Sequence, residues 1–191
     1  MPQENRLRKL APEELGRLSL EAYRLAPKLP LRLFLDNLRS RYNVGSLLRS
    51  ADAFRAEKVY LAGITPAPPH PEIHRSALGA EESVAWEKVQ AEVQVVAALK
   101  EQGWTVISLE HTTHSVSIWE FTWPSPPWLL IVGNELTGVS DVLLELSDQI
   151  IEIPQFGTKH SLNVAVAGGI VLYEAAKQLK AGESSRNAQG R

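Results

Sequence analysis

Ile150–Lys177 reads IIEIPQFGTKHSLNVAVAGGIVLYEAAK. Ile150–Ile153 is a short apolar strand, Pro154–His160 is a loop carrying Gly157, and a helix follows over about Leu162–Leu179 with Val164, Val171 and Leu172 at apolar positions. A strand that runs through a glycine loop into a helix is the repeating unit of parallel α/β sheets. Two features set this unit apart. Its helix is introduced by Ser161-Leu-Asn163, and its middle carries Ala165, Ala167, Gly168 and Gly169, which bury little or weaken a helix. Small residues in a packed helix imply close backbone approach, either to the chain itself or to a second copy.

The same alternation extends outward. Leu31–Leu35 is apolar at nearly every position and reads as a strand buried on both faces. A loop, a helix over about Asn43–Phe54 and a strand at Lys58–Ala62 come next. Thr65–Pro71 is a proline-rich loop, a weak helical stretch around Glu81–Val95 leads to a helix ending near Gln102-Gly103, and Trp104–Leu109 is a strand. Trp128–Val132 (WLLIV) and Gln149–Ile153 are two more, separated by a helix near Ser140–Leu146. The expected class is α/β, with a mostly parallel sheet and helices on both faces. Before this core, residues 12–26 predict one amphipathic helix with Leu15, Leu18, Ala22 and Leu25 on its apolar side. The expected organisation is a helical extension at 1–30, a core domain at 31–180 and a disordered tail at 181–191.

The 191 residues are 44% hydrophobic and 22% charged, enough for one packed domain. Cysteine is absent, which excludes disulfides and thiolate metal sites. Residues 1–11 are charged, and no apolar run approaches the roughly 20 residues that span a bilayer, so the chain reads as soluble and cytoplasmic. No G-x-G-x-x-G follows the first strand and no phosphate-loop motif exists. His70 and His74 have helical metal-ligand spacing, but Pro71 lies between them and no third ligand is near, so no metal is expected. The net charge of −2 hides an asymmetry: residues 1–58 carry 12 Lys and Arg against 7 Asp and Glu, and the rest carry 8 against 15. A basic N-terminal portion suits a polyanion partner.

Three segments hold the candidate chemistry. Asn37–Phe54 (NLRSRYNVGSLLRSADAF) delivers Asn43 and Gly45 to a helix start, with Arg49 flanked by Leu47, Leu48 and Ala51, a setting in which a cation needs a purpose. Ile131–Ser140 (IVGNELTGVS) places Glu135 just beyond a central strand, where open α/β sheets bind ligands. The third is the opening stretch.

In this order the three segments resemble the SpoU/TrmH family of RNA 2′-O-ribose methyltransferases, part of the SPOUT superfamily. The family's Asn-x-Gly-x-x-x-Arg stands as Asn43-Val-Gly45-Ser-Leu-Leu-Arg49, its Gly-x-Glu-x-x-Gly as Gly133-Asn-Glu135-Leu-Thr-Gly138, and its Ile-Pro-x-x-Gly-x-x-x-Ser-Leu-Asn-Val as Ile153 to Val164. Ser76–Ala80 fits an intervening family stretch. The resemblance covers about residues 31–180. It implies a C-terminal deep trefoil knot, a homodimer that helps complete each active site, and S-adenosylmethionine (S-adenosyl-L-methionine) held bent in the knot. Cofactor contacts are expected from Leu109, Gly133, Ile153, Ser161 and Leu162. For catalysis, Arg49 is expected to stabilise charge on the ribose oxygen, Asn43 to position Arg49 or the ribose, Glu135 to orient that network, and Ser161 and Asn163 to bridge cofactor and substrate. Arg6, Arg8, Lys9, Arg39 and Arg41 become candidate RNA-phosphate contacts. Lack of a large RNA-binding domain favours tRNA over rRNA as substrate. Two alternatives stand beside this reading, an idle RNA-binding homologue and a SPOUT enzyme acting on a base nitrogen.

Overall fold

The computed structural model describes residues 7–189. Seven strands form one sheet: β1 Leu29–Asp36, β2 Ala56–Ala62, β3 Trp86–Val89, β4 Thr105–Leu109, β5 Val116–Ser117, β6 Trp128–Val132 and β7 Gln149–Glu152. Their order is β3-β2-β1-β6-β4-β7-β5, and every pairing is parallel. All the carboxyl ends therefore face one edge. β6 is buried along its whole length, as its unbroken apolar run requires of a strand covered on both faces.

Strand periodicity divides that burial between two cores. Leu33 and Leu35 of β1 and Leu130 and Val132 of β6 face α2 (Arg41–Ala53) and α7 (Val164–Gln189), meeting Leu47, Leu48, Val171 and Leu172. Phe34, Leu129 and Ile131 point the other way, against Val96 and Leu99 of α5 (Glu92–Glu101) and Leu143 of α6 (Asp141–Leu146). Helices on both faces of a parallel sheet match the expected class.

α7 lies across α2 and β1. A Cβ added at Gly168 would fall 2.6 Å from Leu47 Cδ2, so the small run in α7 serves a close helix crossing within the chain. Gly169 is roomier, its nearest such neighbour being Ser50 Oγ at 3.7 Å.

Four local expectations change. The helix expected at 12–26 is two short pieces: a 3₁₀ turn at Pro12–Leu15 stops at Gly16, whose φ is 60°, and α1 (Leu20–Leu25) restarts with Ser19 Oγ accepting from Ala22 N at 3.1 Å. Leu15, Leu18 and Leu25 are exposed, and α1 is anchored instead by buried Tyr23, whose hydroxyl donates to Asp52 O at 3.3 Å. Within Glu81–Val95, β3 replaces part of the helix, because Val89 can be buried beside β2 while Glu87 and Lys88 stay in solvent on this edge strand. Pro71 opens α3 (Pro71–Ala77), with His70 Nδ1 accepting from Glu72 N at 3.2 Å, and α4 (Ala80–Ser83) follows. Finally, α7 continues to Gln189 through much of the expected disordered tail; Ala181, Glu183, Arg186, Ala188 and Gln189 are good helix formers and no proline stops the chain.

Candidate active site

The carboxyl ends of β4, β6 and β7 run into three loops that enclose a cavity of about 470 Å³. Every residue expected to contact a cofactor lines it: Leu109 at the end of β4, Gly133 after β6, Ile153 after β7, and Ser161 and Leu162 before α7. Glu135 and Asn163 line it as well. The second and third motifs and the end of β4 thus converge because three neighbouring parallel strands end together.

Glu135 ties the second motif to the first. Its carboxylate accepts from Arg39 N at 2.9 Å, Ser40 N at 3.0 Å and Asn43 Nδ2 at 2.9 Å. The amides belong to the N-terminal entrance of α2, where free N–H groups and the helix dipole favour an anion. Desolvation would raise the Glu135 carboxyl, but the hydrogen bonds from Arg39, Asn43 and Ser40 outweigh it and hold the pKa below the ordinary glutamate value. Asn43 then passes the connection to the third motif, its Oδ1 accepting from Asn163 Nδ2 at 3.1 Å. Asn163 also caps α7, with Oδ1 taking Ala165 N at 2.8 Å. Glu135, Asn43 and Asn163 form one chain of hydrogen bonds across all three motifs.

The loop after β6 is fixed by its own backbone and by its neighbours. Asn134 and Gly138 exchange two main-chain hydrogen bonds of 2.9 Å, and Asn134 Nδ2 donates to Asn37 O at 2.6 Å. Buried Asp36, the last residue of β1, accepts from Ser140 N at 2.8 Å. Asp36, Asn37 and Glu110 escaped the sequence reading; the signal available for Asp36 and Glu110 was a carboxylate at the carboxyl end of a central strand.

Arg49 is placed differently from the expectation. It lies on α2 six residues beyond Asn43, about 9 Å along the axis and about a third of a turn away around it. Its side chain is exposed rather than set among Leu47, Leu48 and Ala51, and it lines a second cavity of about 720 Å³ with Arg17, Tyr23, Asp52 and Arg55. Arg49 and the Asn43–Glu135–Asn163 network therefore do not share a cavity within one chain. Ser161 lines the first cavity.

Among the expected RNA contacts, Arg6 lies outside the described residues. Arg8 is engaged with Glu14 through two hydrogen bonds of 2.7 Å, and Lys9 is exposed. Arg39 and Arg41 are exposed at the start of α2 beside Glu135, Arg41 in a loose pair with Glu72 at 3.9 Å. The described residues hold no cluster of three metal-ligating side chains. No described helix is long and apolar enough to cross a membrane.

A seven-stranded parallel α/β sheet with a loop-built cavity beyond β4, β6 and β7, tied to α2 by Glu135 and Asn43, defines a class of small-molecule-binding α/β protein. The model of the SpoU rRNA Methylase family matches residues 30–173, and the chain belongs to that family. It is 35% identical over 154 residues to the tRNA (guanosine(18)-2′-O)-methyltransferase of Aquifex aeolicus, covering 78% of this chain and 69% of that protein. It is 34% identical over 150 residues to the 23S rRNA (guanosine-2′-O-)-methyltransferase RlmB of Vibrio parahaemolyticus, covering 78% of this chain and 60% of that one. Among solved structures, the A. aeolicus TrmH/SpoU tRNA modifying enzyme superposes with a TM-score of 0.77 at 32% identity, over 86% of this chain and 84% of that one. The AdoMet-bound rRNA methyltransferase of Sinorhizobium meliloti gives 0.73 at 31%, over 78% and 56%.

Proposed function

We propose that this chain is an S-adenosylmethionine-dependent RNA methyltransferase that modifies a ribose 2′-hydroxyl. The observation that carries the reading is the convergence of all five expected cofactor residues on one cavity whose wall also holds Glu135 and Asn163. The fit to the cofactor is chemical as well as spatial. Among the described residues the wall includes Glu110, Glu135 and Glu152 and no Lys or Arg, as suits a cationic ligand, and it is built from loops rich in main-chain groups.

When bound, the cofactor supplies an electrophilic methyl group on a sulfonium centre. Leu109, Gly133, Ile153, Ser161 and Leu162 would hold it. The chain's own residues align the ribose hydroxyl and ease loss of its proton. Asn43, held by Glu135, and Asn163, bonded in turn to Asn43, present amide groups beside the cavity and orient the ribose. A guanidinium is a permanent cation and a poor base, so Arg49 stabilises developing charge on the oxygen beside the adjoining phosphate.

Because Arg49 faces away from the cavity of its own chain, this role requires a second copy to deliver it, which makes the functional unit a homodimer. An exposed apolar stripe on α7 supports that arrangement: Val166, Ile170 and Tyr173 recur at helical spacing and are 53%, 39% and 58% exposed. The trefoil knot belongs to the same reading. β7 lies on the far side of β4 from β6, yet α7 packs on α2 and β1, so residues 153–163 return across the ends of β4 and β6. The domain limits of the reading are the 31–180 core with its N-terminal extension. The likenesses to tRNA and rRNA enzymes support RNA as partner, and the N-terminal basic residues give it a surface; tRNA is the favoured substrate.

Labelled-methyl transfer onto unmodified total RNA, followed by size separation and nucleoside analysis, tests this. A 2′-O-methylated nucleoside in the tRNA fraction is expected. A base-methylated nucleoside, or an absence of transfer with cofactor bound, contradicts the reading.

A further inference from the structure

Glu110 is the first residue past β4, and none of the three motifs includes it. Its two oxygens are held by main-chain amides from two different loops: Oε1 accepts from His111 N at 2.9 Å, and Oε2 accepts from Val139 N at 2.9 Å. Gly138 makes the room. Its φ is 73°, and a Cβ there would fall 2.1 Å from Glu110 Oε2. The last glycine of the Gly133–Gly138 motif thus has a partner outside the motif, and the carboxylate is seated by fit on the cavity wall.

The three carboxylates of that wall differ in how their charge is answered. Glu135 is met by two amides at the N-terminal end of α2 and by Asn43. Glu152 turns Oε2 to Ser115 Oγ at 2.5 Å, a contact with the turn before β5. Glu110 is held, among the described residues, at both oxygens by main-chain amides of the two cavity loops, and each oxygen keeps a lone pair.

We infer that Glu110 sets the cavity's preference for the charge of its ligand, favouring the sulfonium methyl donor over the neutral thioether left after transfer. The inference rests on the reading of this cavity as the cofactor site. Methyl transfer breaks the S–CH3 bond with its electron pair left on sulfur, forms the O–CH3 bond, and releases the hydroxyl proton to an acceptor, so the sulfur loses one unit of charge. A fixed carboxylate therefore attracts the donor more than the product, which helps the used cofactor leave.

Calorimetric titration of the full chain with S-adenosylmethionine and, separately, S-adenosylhomocysteine tests this without any turnover. In Glu110→Gln the ratio of product Kd to donor Kd should fall about tenfold, the scale of one unit charge acting over about 4 Å in a nearly aqueous dielectric, as suits an open cavity. Glu110→Asp keeps the charge while loosening the two amide contacts, so both affinities should weaken with the ratio near wild type. Glu152→Gln should leave the ratio near wild type. Should the glutamine variant fail to fold, Glu110→Ala is read for the same ratio. An unchanged ratio in Glu110→Gln, or a larger change in Glu152→Gln, overturns the assignment. Wild type binding neither ligand overturns the cofactor reading itself, and this inference with it.

Discussion

Glu135 gathers donors from Arg39, Ser40 and Asn43, so its charge connects the cavity loop after β6 to the entrance of α2. Its pKa is depressed in the folded chain. The stabilisation is therefore present above the ordinary glutamate pKa, about 4.3, and is lost as pH falls through the folded value. Thermal midpoints measured from pH 7 to pH 3 should fall less steeply for Glu135→Gln than for wild type, while at pH 7 the variant is the less stable. Parallel curves would show that the carboxylate contributes no pH-linked stability. Asn43→Ala should separate two functions of the same network. It removes the donor to Glu135 and the acceptor of Asn163 Nδ2, so methyl transfer should drop by at least about 10², while calorimetry still detects cofactor binding.

At the scale of elements, the crossing of α7 over α2 is the contact that the small residues serve. Gly168→Leu inserts a side chain where Leu47 Cδ2 already lies 2.6 Å from the position of a Cβ, and should cost about 1–3 kcal/mol in denaturant unfolding. Gly169→Ala meets only an ordinary contact with Ser50 Oγ at 3.7 Å and should be neutral or stabilising, by up to about 1 kcal/mol, through helix propensity. Equal effects at both positions would contradict the packing account. The long elements were legible from their patterns: WLLIV is a doubly buried strand, the Asn43 helix is amphipathic over several turns, and the Leu162 helix is apolar at Val171 and Leu172, which it buries. The failures are local. Gly16 and Ser19 are stop and start signals that divide an apparently continuous leucine pattern, and Glu87-Lys88 disguises an edge strand as helix. Within the candidate site, the motifs pointed to Glu135, Asn43 and Asn163, which the fold joins by hydrogen bonds. Glu110 and Asp36 act through main-chain amides distant in sequence, a relation that spacing along the chain does not encode.

The whole molecule presents basic residues in its N-terminal portion and carboxylates around the cavity. Arg39 and Arg41 are exposed beside the network at the start of α2, so replacing both with alanine should weaken RNA binding and reduce its salt dependence by about one log–log slope unit for each phosphate no longer neutralised. An unchanged slope would return them to ordinary solvated surface. Arg8, already held by Glu14, should matter less. The larger question is how Arg49 reaches the chemistry when it lines a different cavity from Asn163 and Glu135. In the proposed homodimer, each cavity would be completed by the other copy's arginine. Mixed dimers measure this directly. Arg49→Ala and Glu135→Ala are each expected to be inactive alone; co-refolded in equal amounts, they should recover about a quarter of the wild-type yield of 2′-O-methylated nucleoside, since half the dimers are mixed and one of the two sites in each is intact. Recovery at that level is the predicted result, and no recovery from mixed dimers shown to form would contradict the account.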